Sequence, residues 1–342
     1  MPTVNPTFSD VSWGPDPWSY FDYFQNPTRI TGGNPLLMLF HAGGWNTKSH
    51  RSYRDSTDTE LWHFVRWLLG SQDPNVVGQL LASSPTTKWD VASVAFGQQK
   101  HDASVIPRSR SLYGMDVVRD CQRAIASVKG LYNTYGFNPN KVIVGGESSG
   151  AMTSALSQLV PARFGNGQSK VWRDSNYGPN TFDSTARGIL FSEGPVDIRN
   201  SNNDNPPTGT DYFHFSRIGA FLGVNQTTAT EWNAVPAAVK SALSVRAYFE
   251  SEDLASYPGM YVVFTSAGNG VKPLGNGAGS DPHDSVQLSD LRTTMGTAGV
   301  TFYGQLVSDW TIAEYPTTIS TATLAIFQPI EKWMREQTIT SF

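Results

Sequence analysis

Short apolar runs recur along the chain at 36–40, 91–96, 141–145, 188–191, 261–265 and 300–306. Each has strand length, and the stretches between them carry helical periodicity, so the pattern predicts strands alternating with helices in a mostly parallel sheet covered on both faces. The clearest helix lies between the second and third runs. There Val117, Val118, Cys121, Ala124, Ile125, Val128 and Tyr132 recur at spacings of three and four and form one apolar stripe. Gly136 follows as a helix stop, and Asn138-Pro139-Asn140 turns the chain into the next strand, which completes a βαβ crossover. A further helix is predicted from Ser148 to about residue 160, then a long Gly/Asn/Ser-rich surface loop over 163–185. Helices at 213–222, 230–244 and 246–257 fall between two strands, so 195–258 reads as a cap inserted above the sheet. A last helix over 321–337 closes the chain, and residues 1–342 read as one domain.

Composition narrows the classes of function. Charged residues are 16% of the 342 positions, 25 Lys and Arg against 29 Asp and Glu, which excludes a nucleic-acid binder that works through a basic surface. No run approaches the ~18 apolar residues of a membrane span. The N-terminal Met1-Pro2-Thr3-Val4-Asn5 has neither a basic nor an apolar signal region, so a cytoplasmic location is expected. The single Cys121 forms no internal disulfide and reads as a small buried apolar residue. No Gly-rich loop precedes a lysine, which disfavours a phosphate-bearing ligand, and no cofactor and no metal are expected. Asp281-Pro282-His283-Asp284 is a single cluster without a second ligand set.

The sharpest chemical signal is the segment 141–152, in which a buried strand runs through Gly146-Glu147-Ser148-Ser149-Gly150 directly into a helix. Gly-x-Ser-x-Gly in strand–turn–helix context is a nucleophile elbow: the glycines permit the sharp turn, and the turn presents Ser148 Oγ at the end of the sheet. About a hundred residues upstream, at the end of the first apolar strand, stands Phe40-His41-Ala42-Gly43-Gly44-Trp45. It resembles the HGGG oxyanion loop of esterases, where backbone N–H groups must approach a developing alkoxide without a Cβ between.

On these residues, the chain resembles the α/β-hydrolase-fold carboxylesterases of the hormone-sensitive-lipase and type-B esterase kind. The spacing of Asp120–Ile125, Asn138–Lys141 and Gly146–Gly150, together with 188–194 and 284–288, extends the likeness over most of the chain. The resemblance implies Ser148 as nucleophile and Gly43, Gly44 and Ser149 as oxyanion donors. It gives His41 a role in ordering the loop. Trp45 and Trp310 would line a pocket for a small apolar or aromatic ester.

That family carries an acid and then a histidine after the serine. Here no histidine follows His283, and Trp310 stands near the family's histidine position after the last strand. The loop where the family keeps its acid reads Ser266-Ala267-Gly268-Asn269-Gly270 and offers no carboxylate. His283 is the foremost candidate base, with Asp281 as its acid; His50, His63, His101 and His214 read as surface or packing residues. A serine hydrolase without its base retains little turnover. Three readings therefore stand: an ester hydrolase with a base in a non-standard position, a non-hydrolytic enzyme on the same fold, and a small-molecule-binding protein that has lost catalysis.

Overall fold

The computed structural model describes residues 5–45, 49–51, 60–69, 85–97, 114–163, 184–199, 221, 234–251, 259–265, 285–307 and 321–339. Its strands are β1 (Phe8–Ser12), β2 (Tyr20–Phe24), β3 (Asn34–Phe40), β4 (Asp90–Val94), β5 (Phe137–Glu147), β6 (Gly188–Ser192), β7 (Gly259–Thr265) and β8 (Tyr303–Val307). They form one sheet in the order β1-β2-β4-β3-β5-β6-β7-β8. β2 runs antiparallel to both of its neighbours, and every pairing from β4 through β8 is parallel.

The strands alternate their side chains between two apolar layers, as a period of two requires. Leu36, Met38 and Phe40 of β3 face one cluster together with Val142 and Val144 of β5. Covering that side are α2 (Met115–Gly130), through Val117, Val118, Cys121, Ala124, Ile125 and Val128, and α4 (Ser149–Arg163), through Met152, Ala155, Leu156 and Leu159. Leu37, Leu39 and Ile143 face the opposite cluster, with Leu61, Phe64 and Val65 of α1 (Glu60–Leu68) and Phe327, Ile330 and Trp333 of α8 (Thr321–Ile339). A parallel sheet buried on both faces explains why these strands read as unbroken apolar runs.

The six strands expected from the apolar runs are present as β3 to β8. β8 starts three residues late, at Tyr303, while Val300 and Phe302 pack against the core from outside the ladder. α2 ends at Gly130, one short turn α3 (Tyr132–Tyr135) follows, and Gly136 stops it with φ 74° and an N–H bond to the Tyr132 carbonyl. Cys121 is buried and unpaired by any disulfide.

β1 and β2 were not expected from the pattern. Tyr20-Phe21-Asp22-Tyr23-Phe24 places an acid in the middle of an aromatic run, and what makes it a strand lies far away in sequence. Asp90, fully buried at the start of β4, accepts five hydrogen bonds from four donor groups in the segment 23–34. The Tyr23 hydroxyl donates to it at 2.5 Å, the Asn26 N–H at 2.9 Å, Arg29 Nη1 to both oxygens at 2.8 and 2.7 Å, and Asn34 Nδ2 at 3.1 Å. Burial and the neighbouring Asp90 charge hold the Tyr23 phenol well above its usual range, so it stays a donor.

Between β6 and β7, the described part of the region expected as a cap includes α5 (Ala237–Ala242) and α6 (Val245–Ser251). Val245, Tyr248 and Phe249 join the core cluster that contains α4. The chain leaving β6 is bonded to this pair: the Ile198 N–H donates to Ser244 Oγ at 2.9 Å and the Arg246 N–H to the Val196 carbonyl at 3.0 Å. Arg199 bridges Asp197 and Glu250, which holds both carboxyls below their ordinary range. On the same side of the sheet, α7 (Ser285–Thr297) places Leu291 and Met295 in the core cluster that contains α4. No helix among the described residues is long and apolar enough to cross a membrane.

Candidate active site

The C-terminal ends of β3, β5 and β6 meet at one place, and Ser148 stands there. It follows β5 directly and precedes α4, with φ 54°, a left-handed backbone that a non-glycine residue adopts only when its surroundings enforce it. Its N–H donates to the Ser192 carbonyl at 2.9 Å, and its own carbonyl accepts the Met152 N–H at 3.2 Å as the first bond of α4. The turn is thus held from the β6 side and from the helix side at once.

The two glycines of the motif are required by close approach. A Cβ on Gly146 would lie 2.6 Å from the Gly150 carbonyl carbon. A Cβ on Gly150 would lie 2.6 Å from the Phe40 carbonyl carbon and 2.7 Å from the His41 oxygen. The elbow is therefore packed backbone to backbone against the end of β3, which is where the segment 41–45 begins. Gly194 closes the third side, since a Cβ there would come within 2.9 Å of the Ser148 oxygen.

The segment 41–45 turns sharply, with φ 119° at Gly43, 60° at Gly44 and 61° at Trp45. The Gly44 N–H donates to Ser149 Oγ at 3.0 Å. Trp45 is buried; its indole N–H donates to Thr153 Oγ1 at 2.9 Å, and its ring stacks on Phe221 at 4.4 Å between centroids. Ser149 begins α4, and a first-turn N–H has no partner within its own helix, so the helix start directs donors toward the space beside Ser148. Elbow, loop and helix start together form a site able to hold negative charge next to Ser148.

His41 is fully buried in this loop. Its Nδ1–H donates to the Ala42 carbonyl at 2.8 Å, and its ring stacks on Phe96 at 4.8 Å. The chain after Phe96 is fixed in turn by Asp120 of α2, which accepts the Gly97 N–H at 2.6 Å and the Trp18 indole N–H at 2.9 Å. Burial pushes the Asp120 carboxyl up to about 6, opposed by Arg123 and by these two donors.

Two carboxylates flank Ser148. Glu147 precedes it and is buried. Glu193, also buried, follows β6 with φ 48°, and its N–H donates to the Val263 carbonyl of β7 at 2.9 Å. Glu193 is not among the residues that the motifs mark; a Glu-Gly pair directly after a buried strand is the signal the sequence carries for it. His283, Asp281 and Trp310 lie outside the described residues, as do His101, His214 and the segment 266–270.

His50 is engaged elsewhere. Its Nε2 lies 2.8 Å from Asp10 Oδ1 and 3.9 Å from Asp22 Oδ1 of β2. β2 is three strand spacings from β5, about 14 Å, so this imidazole does not serve Ser148. Asp10, Asp22 and His50 are the described residues whose donor atoms are grouped closely enough to hold a metal ion. Arg51 already places its guanidinium on the same Asp10 oxygen, with Nη2 at 2.8 Å.

No family model matches the chain, and no curated relative is similar to it in sequence. Solved structures are similar. A truncated carbohydrate esterase from gut microbiota matches with a TM-score of 0.62 at 13% identity over 99% of both chains. Esterase B from Lactobacillus rhamnosis matches at 0.58 and 12%, covering 98% of this chain and 90% of its own. An acetyl ester-xyloside bifunctional hydrolase from Caldicellulosiruptor lactoaceticus matches at 0.56 and 12%, covering 93% and 88%. The chain has the α/β-hydrolase fold.

Proposed function

We propose that the protein is a serine carboxylic-ester hydrolase with Ser148 as its nucleophile. The observation that carries this reading is the backbone at Ser148: a non-glycine residue at φ 54°, wedged between Gly146, Gly150 and Gly194 at the meeting of three strand ends. Strain of this kind persists where the surroundings over-determine it, and here it sets a hydroxyl at the tip of the turn. The esterase names carried by the similar structures support the same class.

In this reading, Ser148 Oγ attacks the ester carbonyl as a base removes its proton, and the tetrahedral oxyanion is held by the backbone N–H groups of Gly43 and Ser149, while the N–H of Gly44, expected as a third donor, is directed to Ser149 Oγ. Collapse of the intermediate expels the alcohol, and water then releases the acid from the acyl-enzyme. The base is His283, brought over from the segment between β7 and α7. Its orienting carboxylate is Asp281, or Glu193, which has the merit of lying buried between the ends of β5 and β7. Trp45 and Trp310 contribute aromatic surface to the pocket, which suits a small apolar or aromatic ester. Acetylated carbohydrates join the candidates because two of the similar structures are named for carbohydrate or xyloside chemistry. The protein acts on a small molecule, without nucleic acid, membrane or cofactor, and is placed in the cytoplasm.

The test is turnover of a panel of short-chain aryl esters and acetylated sugars by the native chain and by Ser148→Ala, His283→Ala, Asp281→Asn and Glu193→Gln. The expected result is loss of turnover of about 10⁴-fold or more in Ser148→Ala and His283→Ala, with one of the two carboxylate variants clearly more impaired than the other. Saturable binding of an ester without product by the folded native chain would replace hydrolysis with a binding role.

A further inference from the structure

The hydrogen bonds between the segment 41–45 and α4 form a pattern of their own. Gly44 donates its N–H to Ser149 Oγ at 3.0 Å, and this bond is buried. The next residue, Trp45, donates its indole N–H to Thr153 Oγ1 at 2.9 Å, and that hydroxyl donates onward to the Ser149 carbonyl at 2.8 Å. Two consecutive loop residues are therefore fastened to two helix residues one turn apart, with Ser149 common to both ties. Gly44 and Trp45 have left-handed backbones, and for Trp45 that conformation needs an external hold.

We infer that the Ser149 hydroxyl is the positioning group of the oxyanion loop: it accepts the Gly44 N–H and so fixes the distance between the loop and the start of α4. The inference rests on the hydrolase reading above and deepens it. Gly44 N–H serves the geometry of the loop in the resting site, and Ser149 acts twice, through its main-chain N–H toward the oxyanion and through its side chain toward the loop. Alanine at this position removes the acceptor and leaves the buried Gly44 N–H without its partner, and the loop then relaxes away from α4. Misplacement of oxyanion donors by a fraction of an ångström to 1 Å lowers turnover by about 10- to 100-fold. Threonine keeps the oxygen.

The experiment compares Ser149→Ala and Ser149→Thr with the native chain in two measurements. The first is amide hydrogen exchange at Gly44. Exchange is expected to rise at least about 10-fold in Ser149→Ala and to stay near the native rate in Ser149→Thr; unchanged protection in Ser149→Ala overturns the inference without touching the hydrolase reading. The second is steady-state hydrolysis of an aryl ester together with inhibition by a trifluoromethyl ketone, which forms a tetrahedral adduct with the serine. Ser149→Ala is expected to lose kcat and ketone affinity in parallel, about 10- to 100-fold, with KM nearly constant, and Ser149→Thr to recover most of both. Native-like or higher kcat in Ser149→Ala overturns the inference, as does equal impairment of the threonine variant. A native chain that shows slow Gly44 exchange, sensitive to Ser149→Ala, yet neither turns over esters nor binds the ketone overturns the hydrolase reading instead.

Discussion

Gly150 shows how much of the site a single hydrogen can control. Its Cα faces the carbonyl groups of Phe40 and His41 so closely that any side chain would overlap main-chain atoms, which cannot rotate away. Gly150→Ala is therefore expected to destabilise the protein by about 3 kcal/mol or more, at the upper end of overpacking penalties. Urea denaturation reads the effect directly, and a midpoint shift equivalent to under about 1 kcal/mol would contradict the packing described for the elbow. This part of the site was legible in the sequence because motif spacing is local: five consecutive residues announce the turn and its glycines. The Ser149–Gly44 bond was not legible, since it joins positions 105 apart and depends on a side-chain rotamer. Glu193 escaped for a related reason, as its significance lies in a buried, left-handed backbone beside β5.

At the level of elements, Asp120 joins three that the sequence pattern treats separately. From α2 it holds Trp18, between β1 and β2, and Gly97, after β4, and thereby supports Phe96 and the His41 ring stacked on it. Burial raises its carboxyl from 3.8 to about 6. A pKa higher in the folded than in the unfolded state means that the folded chain holds the proton more tightly. The stabilisation is then complete below pH about 4 and is lost as the pH rises through about 6. Two units correspond to about 3 kcal/mol. Against Asp120→Asn, which does not titrate, the native chain is expected to lose that much stability between pH 4 and pH 7; parallel stability curves would show that Asp120 is not shifted. The same scale explains what the pattern missed. The βαβ elements were legible because a buried parallel strand or an amphipathic helix repeats its own signal. β1 and β2 carry no such repeat, and β2 is fastened by Asp90 across a separation of 67 residues to Tyr23.

Over the whole molecule, the sheet order brings β3, β5 and β6 side by side although they are distant in sequence, so the segment 41–45, Ser148 and Glu193 converge at one edge. That convergence is the general property of open parallel sheets, whose strand ends gather the chemistry. It makes the strained turn at Ser148 a consequence of topology: the elbow is built by contacts from both neighbouring strands as well as from its own helix. The low histidine count, which made the base the open question in the sequence, gains meaning from the same map. Of the six, His41 is committed within the loop and His50 at the far edge of the sheet. The central claim is that Ser148 is an activated nucleophile, and covalent labelling tests it most directly. The native chain, treated with a fluorophosphonate and digested for mass spectrometry, is expected to carry one adduct, on Ser148, that is absent in Ser148→Ala and strongly slowed in His283→Ala. A folded native chain that remains unlabelled at Ser148 would contradict the account.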